Sequence, residues 1–504
     1  MKRFTILLLF SLSFILFGCD TTTKTTTKTT NNVTTSTITT TELNTKDNID
    51  YENIKLSGFY SSKGKEFVNI SSILNFSETK PSGAVVTIDD TVKYEEYYGV
   101  GAALTGASAY LIVNSPKEDE IIEYLFGEDG LNIQVLRLCI GASDFPNPKY
   151  GTHYSYDDMP KGQTDESLEH FTLEKDDDVI RVIHKALEIN PNIRFIASPW
   201  SAPGWMKEND SLYGGTLKVK YHEVYADYLI KFIEEYAKLG IHIDSISLQN
   251  EPLHQTSGYP TMYLHYQHER EIIRKYLGPK LEEKGLSTKI MIYDHNADNN
   301  YPTLLLSDPL TKKYVSSMAL HCYELDNHKQ MLDYITEFKA KHPDIEVFMS
   351  ECTAGTWYTD YNANMEWSLN RMYMKPYNLG AVGTTYWNIA LDPKGETHNG
   401  GCEGCTGLIS IKDTGDYYLE ADGAVVGQYA KGVNLGSTRI GAKSSSSNID
   451  VNAYMDEEGN YSVVMYNFSS SPITVVIAWN DRYTKVSMMG KTLYTINWKK
   501  TKKE

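Results

Sequence analysis

The sequence has little positive charge, few cysteines and no apolar run long enough to cross a lipid bilayer comfortably. Its 504 residues include 48 lysines and arginines against 65 aspartates and glutamates, which gives a formal net charge of -17. Binding to nucleic acid needs a basic face, so this charge balance excludes nucleic acid as a partner. It also disfavours broad electrostatic contact with anionic lipid, whereas a neutral substrate such as a sugar is compatible with it.

The N-terminus has the pattern of an export signal. Lys2 and Arg3 precede an apolar run over residues 4–17, which is shorter than the about 20 residues of a membrane-spanning helix. The run ends in LFGC, which resembles the lipobox of bacterial lipoproteins, where the cysteine is lipidated after cleavage. We predict that residues 1–19 are a lipoprotein signal peptide and that Cys19 carries lipid; an ordinary signal peptide is the alternative. The protein would then lie on the extracellular face of the cell membrane, in contact with it only through this anchor.

A threonine-rich segment follows the signal. Fourteen of the 21 residues at positions 21–41 are threonine, and such a segment has almost nothing apolar to bury. We therefore predict a disordered tether over residues 20–49. The rest of the chain has the composition of a globular protein and is long enough for two domains.

The remaining cysteines predict neither a metal site nor a cofactor. Only Cys402 and Cys405 have a suggestive spacing, and zinc would need a second pair or nearby histidines, which do not follow. A local loop disulfide is the favoured interpretation, with two free thiols as the alternative. Cys139, Cys322 and Cys352 lie in apolar, strand-like runs, and we expect them to be plain buried cysteines.

Eight short apolar or β-branched runs lie between residues 97 and 391, and most gaps between them have helical patterning. Strand and helix alternating eight times predict a (β/α)8 TIM barrel. A doubly wound open sheet is the alternative, but the turn after the first strand is a poor match to a phosphate-binding loop. The predicted strands are 98–103, 133–140, 193–198, 243–248, 289–293, 315–321, 345–350 and 383–389.

The chain after residue 415 has a different pattern. Four short alternating strands, at 449–454, 461–467, 473–479 and 493–498, follow one another without a helix between them. They predict a small β-sandwich. The stretch 54–88 has the same character, so we expect an all-β sandwich domain built from both chain ends. The expected ranges are 50–90 for the N-terminal strands, 91–415 for the catalytic barrel and 416–504 for the C-terminal sandwich.

Two glutamates stand at the ends of predicted barrel strands. Glu251 follows the fourth strand in SISLQNEP, and Glu351 ends the seventh in EVFMSECTAG. The C-terminal strand ends of such barrels meet at one mouth, where these two carboxylates would face each other. Retaining glycosidases use such a pair, with one carboxyl of raised pKa as the acid and the other as the nucleophile. We predict Glu251 as general acid/base and Glu351 as nucleophile, although either residue alone would read as a solvated rim residue.

Six segments resemble, in order, the barrel motifs of glycoside hydrolase family 30, the group that contains glucosylceramidases, β-1,6-glucanases and certain xylanases. They are YGVGAALTGASA, LRLCIGASDF, ASPWSAPGWMK, LQNEP, MSECTAG and TYWNIALDPKG. The first departs from the family pattern, because its usual aromatic-glycine pair appears here as Gly99-Val100-Gly101. The resemblance runs from about residue 97 to the C-terminus. It implies that barrel and sandwich act as one unit.

The resemblance also implies roles for further side chains. Arg137 resembles the arginine that keeps the nucleophile ionised, and Asp144 resembles the residue that holds distal hydroxyls of the sugar. Asn250 precedes the acid and is expected to hydrogen-bond the sugar 2-OH. The remaining residues that resemble the substrate pocket of the family are Trp200, Tyr259, His321, Tyr323 and Trp387.

The alternative to a substrate-binding role for these five residues is a purely structural role. A buried core role is the alternative for the two tryptophans, and a hydrogen-bonded barrel-rim role is the alternative for His321 and the two tyrosines.

Asp294-His295-Asn296 could be mistaken for part of a metal site or triad, but no serine elbow or H-E-x-x-H accompanies it. We expect this triplet to line the mouth.

The predicted activity is hydrolysis of a β-linked glucoside with retention of configuration. The loop HNGGCEGCTGLISI resembles bacterial relatives that include β-1,6-glucanases, so β-1,6-glucan or a related β-glucan is the favoured substrate. Glucosylceramide is the second candidate and xylan the third, because the Asp144 motif favours a closed glycone pocket over an open groove. A sugar-binding barrel without turnover is the non-enzyme alternative, and the presence of both glutamates argues against it.

Overall fold

The computed structural model of the protein describes residues 49–323 and 328–501. The predicted signal peptide, the lipidation site Cys19 and nearly all of the tether lie outside the described residues. Within the described part of the chain, no helix combines the length and the apolar character that crossing a membrane requires.

Three strands precede the barrel and belong to the second domain. β1 (Leu56–Ser62) and β2 (Lys65–Asn69) form an antiparallel hairpin. β3 (Ala84–Glu96) is the longest strand described and leads directly into the first barrel strand.

Eight parallel strands close into a barrel, which confirms the predicted fold class. The ring closes where its last strand pairs with its first, with Gly383 opposite Gly99. Nearly every residue of these strands is buried, as expected for a parallel sheet covered on both faces. The strands are β4 (Gly99–Ala103), β5 (Val135–Ile140), β6 (Arg194–Pro199), β7 (Ser245–Ser247), β8 (Lys289–Asn296), β9 (Val315–His321), β10 (Glu346–Glu351) and β11 (Ala381–Tyr386).

Helices connect the barrel strands and cover their outer face. The connecting helix His222–Lys238 shows why: its apolar residues recur at three- and four-residue spacing, and Leu229, Phe232 and Ile233 are buried against the barrel. The helices are α1 (Gly106–Val113), α2 (Glu118–Phe126), α3 (Asp177–Ile189), α4 (His222–Lys238), α5 (Tyr266–Ile272), α6 (Gly278–Lys284), α7 (Tyr301–Leu306), α8 (Pro309–Lys312), α9 (His328–Lys341), α10 (Tyr361–Arg371) and α11 (Met374–Asn378). One π-helical turn, Ile273–Leu277, joins α5 to α6.

The barrel interior is apolar towards the N-terminal ends of the strands, here called the lower end, and polar towards their C-terminal ends. Six strands each contribute one side chain to a separate apolar cluster, which includes Val135 and Phe348. Side chains two residues further along a strand point to the same face. On β5 that position is Arg137, on β10 it is Ser350, and both are buried. The polar layer therefore lies directly beneath the C-terminal mouth.

Residue 415, the expected end of the barrel domain, lies within a small sheet that follows the barrel. A small three-stranded sheet is formed by β12 (Ala390–Leu391), β13 (Ile409–Ile411) and β14 (Tyr417–Leu419). It is followed by α12 (Ala421–Gly432), a helix that the sequence analysis does not predict. This helix is buried almost all round and contacts both β4 and the last strand of the chain, so it joins the two domains.

The second domain contains strands from both ends of the chain, as predicted. Its nine strands form one hydrogen-bonded sheet in the order β19-β18-β3-β15-β16-β17-β20-β1-β2. Two of its strands, β15 and β19, are absent from the prediction. The C-terminal strands are β15 (Thr438–Ser444), β16 (Ile449–Met455), β17 (Asn460–Asn467), β18 (Ile473–Trp479), β19 (Arg482–Met488) and β20 (Thr492–Lys499).

This sheet folds over on itself. In a flat sheet, β18 and β20 would lie about 24 Å apart, since five strand spacings separate them. Instead, the rings of Trp479 on β18 and Trp498 on β20 are 5.5 Å apart between centroids. Tyr461 on β17 contacts both rings, at 4.9 and 5.0 Å. The two halves of the sheet therefore form a sandwich around an aromatic core.

We expect Trp479→Ala to lower the free energy of unfolding by about 3–5 kcal/mol, because the ring is 1% exposed and bridges the two layers. Ile73→Ala in the same domain is the matched control. Its side chain is 65% exposed, so the expected loss is below about 0.5 kcal/mol. Urea unfolding followed by circular dichroism measures both, and equal losses in the two variants would contradict the two-layer core.

Candidate active site

A pocket of about 490 Å³ opens at the C-terminal ends of the barrel strands. Six of the predicted site residues line it: Asp144, Glu251, Tyr259, Tyr323, Glu351 and Trp387. Four others, Arg137, Trp200, Asn250 and His321, are buried and are not among the lining residues. The structure thus brings the predicted residues together in two layers, one facing the pocket and one beneath it.

The backbone at Glu251 is held in an unusual conformation. Its φ is 48°, in the left-handed region that a residue with a side chain rarely adopts. Two hydrogen bonds fix it there: the amide of Asn250 donates to the carbonyl of Pro199 at 2.8 Å, and the amide of Glu251 donates to the carbonyl of Asp294 at 2.9 Å. The loop after β7 is therefore tied to both neighbouring strands, and the Glu251 carboxylate faces the pocket.

Arg137 lies beneath the pocket and contacts three groups. Its Nη1 donates to Glu351 Oε2, and its Nη2 donates to Asn250 Oδ1 at 2.8 Å and to Asp294 Oδ2 at 3.1 Å. Burial alone would lower the pKa of this guanidinium, but the charges of Asp294 and Glu351 raise it. The guanidinium therefore stays charged and orients the carboxylate of Glu351.

Asp294 is fully buried and collects more hydrogen bonds than a mouth-lining residue would. Its Oδ2 accepts from the hydroxyls of Ser198 and Ser247, each at 2.6 Å. Its Oδ1 accepts from Ser350 at 2.6 Å and lies 3.1 Å from Nε2 of His321. Burial alone would raise the pKa of Asp294. The charge of Arg137 and these hydrogen bonds outweigh burial and hold the pKa well below its usual value.

The expectation that the whole Asp294-His295-Asn296 triplet lines the mouth is therefore wrong for Asp294. His295 and Asn296 do line the pocket. The cause is a bulge in β8, whose register shifts between Tyr293 and His295. Tyr293 and Asp294 have φ values of 77° and 51°, so the strict alternation of side chains breaks there and Asp294 turns inward.

His321 connects three carboxylates. Its Nδ1 lies 3.2 Å from Glu251 Oε1 and 3.8 Å from Glu351 Oε1, and its Nε2 faces Asp294. Burial alone would lower the pKa of this imidazole. The charge of Glu351 and the hydrogen bonds to Asp294 and Glu251 outweigh burial and raise the pKa of His321 to about 10. His321 is therefore the second cation of the buried layer.

Glu251 does not have the raised pKa that the sequence analysis expects of the acid. Burial alone would raise its pKa, but the hydrogen bond and charge of His321 lower it, and so do the charges of His295 and His254. Together they hold the pKa of Glu251 below its usual value. Sequence reasoning missed His254, which lines the pocket from the loop after β7, whereas His295 on β8 lines it as expected.

The pKa of Asp144 is raised, whereas that of Glu251 is lowered. It is 7% exposed, and burial together with the charge of Glu351 raises its pKa to about 8. The loop after β11 closes over it: the amide of Asn399 donates to the Asp144 carbonyl at 2.8 Å. At Gly401 any Cβ would overlap the Asp144 carboxylate, so this close approach requires glycine.

The two predicted tryptophans have different positions. Trp387 lines the pocket, whereas Trp200 lies behind it and stacks on it, with ring centroids 5.1 Å apart and an angle of 23° between the planes. The guanidinium of Arg137 lies 5.0 Å from the centroid of the Trp200 ring. Trp200 therefore matches the buried alternative and supports both Trp387 and Arg137.

Two predicted tyrosines, Tyr259 and Tyr323, line the pocket. Tyr259 is 3.0 Å from Nε2 of His254 through its hydroxyl. Tyr323 is next to the two glutamates, and burial followed by the charges of Glu351 and Glu251 raises the pKa of its phenol well above the usual value. Its hydroxyl therefore stays protonated and can donate a hydrogen bond.

A disulfide joins the ends of the two strands that carry His321 and Glu351. Cys322 and Cys352 are bonded, with Cα atoms 5.4 Å apart, so the expectation of plain buried cysteines is wrong for both. The register explains the pairing, because Glu351 pairs with His321 across β10 and β9 and the next residues are then neighbours. Cys402 and Cys405 form the loop disulfide favoured from their spacing, and Cys139 is free.

The buried pair of carboxylates at the mouth of a closed barrel has the arrangement of a glycosidase site. The Glycosyl hydrolase family 30 TIM-barrel domain matches residues 97–400, and the Glycosyl hydrolase family 30 beta sandwich domain matches residues 436–496. The chain belongs to glycoside hydrolase family 30. The resemblance of its motifs is thereby confirmed.

Similar proteins agree with this family. An endo-1,6-beta-D-glucanase of Neurospora crassa is 33% identical over 410 residues, which cover 78% of this chain and 81% of the relative. A putative glucosylceramidase of Caenorhabditis elegans is 29% identical over 423 residues, 79% of each chain. The solved structure of an endo-beta1,6-glucanase aligns with a TM-score of 0.80 at 25% identity, covering 89% of this chain and 99% of the other. The family 30 chain is therefore an O-glycosyl hydrolase.

The raised pKa of Asp144 predicts a stability that falls with rising pH. The unfolded chain loses this proton near the ordinary pKa of 3.8, whereas the folded protein keeps it to about 8. Between these values the folded state binds the extra proton, so each rise in pH lowers the free energy of unfolding. Asp144→Asn removes this contribution and is expected to be more stable than the unaltered protein at pH 8, with a difference that grows by up to about 1.4 kcal/mol per pH unit above pH 4.

Urea unfolding at pH 5, 6, 7 and 8 measures this difference. Asp129→Asn, at an exposed position, is the control and is expected to keep the pH dependence of the unaltered protein. An Asp144→Asn protein whose stability follows the same pH curve as the unaltered protein would show that Asp144 is ionised in the folded state.

Proposed function

We propose that the protein hydrolyses β-linked glucosides with retention of configuration and that its substrate is a β-1,6-glucan. The observation that carries the mechanism is the pair Glu251 and Glu351, which line one pocket and contact the same nitrogen of His321. The choice of substrate rests on sequence similarity to endo-1,6-beta-D-glucanases, which are 30% and 33% identical over 78% of this chain.

The separation of the two carboxylates supports retention. Nδ1 of His321 lies 3.2 Å from an oxygen of Glu251 and 3.8 Å from an oxygen of Glu351. These two oxygens are therefore separated by no more than the sum of the two distances, 7.0 Å. Retaining enzymes hold their carboxyl groups about 5–5.5 Å apart, whereas inverting enzymes need about 6.5–9.5 Å to admit a water between them. The bound on this pair of oxygens is compatible with the retaining separation and so supports retention.

Glu351 is the nucleophile in this proposal. Its carboxylate attacks the anomeric carbon while the bond to the leaving oxygen breaks, and the electron pair of that bond goes to the oxygen. Arg137 orients the attacking carboxylate through the hydrogen bond from Nη1. Asn250 accepts from the same guanidinium, which leaves its amide group to meet the sugar 2-OH. The product of this step is a glycosyl ester on Glu351.

Glu251 transfers the protons. As a carboxylic acid it donates its proton to the leaving oxygen, and as a carboxylate it then removes a proton from the water that attacks the ester. In the free pocket the three histidines around it favour the carboxylate. A bound sugar displaces solvent from Glu251, and this further burial favours the neutral acid. Solvent supplies this proton, and His321, 3.2 Å away, keeps its own because the pKa of its imidazole is about 10.

The closed end of the pocket supports a glucosyl unit over an open groove. The loop after β11 covers Asp144, and the neutral Asp144 carboxyl can both donate to and accept from sugar hydroxyls. The glucosylceramidase relatives make glucosylceramide the second candidate substrate. The flat face of Trp387 forms one wall and can stack on a sugar ring.

The product profile from linear β-1,6-glucan tests the proposed activity. We expect the unaltered protein to release short oligosaccharides with the β-anomer formed first, as proton NMR would show. Glu351→Gln is expected to lower the rate by at least about 10³-fold, because an amide cannot act as the nucleophile. Glu283→Gln, at an exposed position outside the pocket, is the matched control and is expected to act like the unaltered protein.

Other results of these measurements would contradict separate parts of the proposal. Hydrolysis that persists in Glu351→Gln would contradict the assigned nucleophile, and an α-anomer formed first would contradict retention. A folded protein that leaves the glucan intact but cleaves glucosylceramide would replace the substrate and keep the mechanism.

We also propose that Cys19 carries lipid and holds the protein on the extracellular face of the cell membrane, on the strength of the LFGC pattern alone. Mass spectrometry of the mature protein from a membrane fraction is expected to find an acylated N-terminal Cys19. Cys19→Ser is the control, and it should appear in the soluble fraction without lipid. An unmodified Cys19 in membrane-bound protein would reject the anchor.

A further inference from the structure

The loop between β5 and α3 contains a cluster of potential metal ligands away from the pocket lining. Asp157, Asp165 and His170 each offer one ligand atom, and these three atoms all lie within 4.8 Å of one another. The chain must make two turns to bring them together, since they are eight and five residues apart. A carboxylate–carboxylate–imidazole set of this size is within the dimensions of a single coordinated cation.

The two carboxylates of the cluster are buried, and among the described residues the only ion-pair partner of either is His170. Asp157 is 0% and Asp165 is 6% exposed. Among the described residues, neither forms an ion pair with a lysine or an arginine, and the single ion-pair partner of Asp165 is His170 at 2.8 Å. Buried carboxylates are normally paired or coordinate a metal, because an uncompensated charge in the interior is costly.

One oxygen of Asp157 is left without a partner. The indole Nε1 of Trp205 donates to the backbone carbonyl of Asp157 at 3.0 Å and to its Oδ2 at 3.1 Å. The other oxygen, Oδ1, is buried and accepts no hydrogen bond from any donor in the described part of the chain. Trp205 thus fixes the carboxylate in the way that outer partners fix a metal ligand, and one acceptor remains for a further group.

The imidazole of His170 provides the open side of the cluster. Its Nδ1 and its backbone amide both contact Oδ2 of Asp165, at 2.8 and 2.7 Å, and its side chain is 64% exposed. The cluster is therefore reached directly from solvent, so a cation can enter without any rearrangement of the barrel.

We infer that Asp157, Asp165 and His170 bind a divalent cation of the zinc type. Two carboxylate oxygens and one imidazole nitrogen are a three-ligand set that Zn²⁺ accepts, with water completing a tetrahedron. Calcium takes about six to eight oxygen ligands and magnesium prefers an octahedron of oxygens, so both fit the donors less well. The cation adds positive charge to two buried carboxylates whose only ion-pair partner among the described residues is His170.

The role of this cation is to fix the loop. It joins three points of the segment between β5 and α3, and through Trp205 it joins that segment to the loop after β6. The same segment contains Asp144, which lines the pocket. The site is a structural one, and it does not depend on which glucoside the protein hydrolyses.

Calorimetric titration of the full-length protein with ZnCl₂ alone, after removal of metals with a chelator, tests the proposal. The unaltered protein is expected to bind one equivalent at this site and to show a higher melting temperature with Zn²⁺. His170→Ala removes an exposed ligand and leaves the core intact, and its Zn²⁺ affinity is expected to fall by at least about tenfold. Glu169→Gln, next to it in the loop and exposed, is the matched control with unchanged affinity.

Asp157→Asn is the second variant, and circular dichroism checks that it folds. It is expected to lose the equivalent bound by the unaltered protein and to show no rise in melting temperature with Zn²⁺. Equal Zn²⁺ binding by the unaltered protein and His170→Ala would overturn the site. Absence of binding up to about 1 mM would do the same and would mean that the two carboxylates share a proton. Preference for CaCl₂ over ZnCl₂ would overturn the assigned cation type.

Discussion

The charge balance inside the barrel sets the geometry of the whole mouth. Three carboxylates, Glu251, Glu351 and Asp294, surround two buried cations, Arg137 and His321. Removing one member of such a group leaves an uncompensated charge in the interior, which costs several kcal/mol. The apolar cluster at the lower end of the barrel excludes water from below. The polar layer therefore has few alternative arrangements, and the orientation of both glutamates follows from it.

Strained backbone supports this layer from the sides. Glu251 has a positive φ, and the bulge at Tyr293 and Asp294 adds two more such residues on the next strand. Conformations of this kind persist only where the surrounding structure holds them, and here the hydrogen bond from Glu251 to the Asp294 carbonyl joins them. The disulfide between Cys322 and Cys352 joins the ends of the next two strands, β9 and β10. The strand ends from β7 to β10 are therefore linked, and they hold the two carboxylates at a fixed separation.

The fold and the pair of glutamates could be predicted because both depend on local patterns and their order. Eight alternating elements predict a barrel, and a glutamate directly after an apolar strand must lie at its mouth. Asp294 could not be assigned, because a bulge reverses the alternation on which such predictions rest. The Cys322–Cys352 bond depends on the register between two strands, which the sequence does not contain. The pKa of Glu251 depends on histidines from three different loops or strands, and only the folded chain brings them together.

The sandwich built from both chain ends also constrains how the protein can be made. The amide of Val85 donates to the hydroxyl of Ser445, 360 residues later, and β1 pairs with β20 at the far end of the chain. At about 5–20 residues per second, a ribosome needs about 20 to 70 s to synthesise the missing partners. During that time the hairpin of β1 and β2 and the long edge of β3 have no sheet to join. Strands that are unpaired early can pair with wrong partners. The edge of β1 stays open until β20, the last strand to be translated, pairs with it.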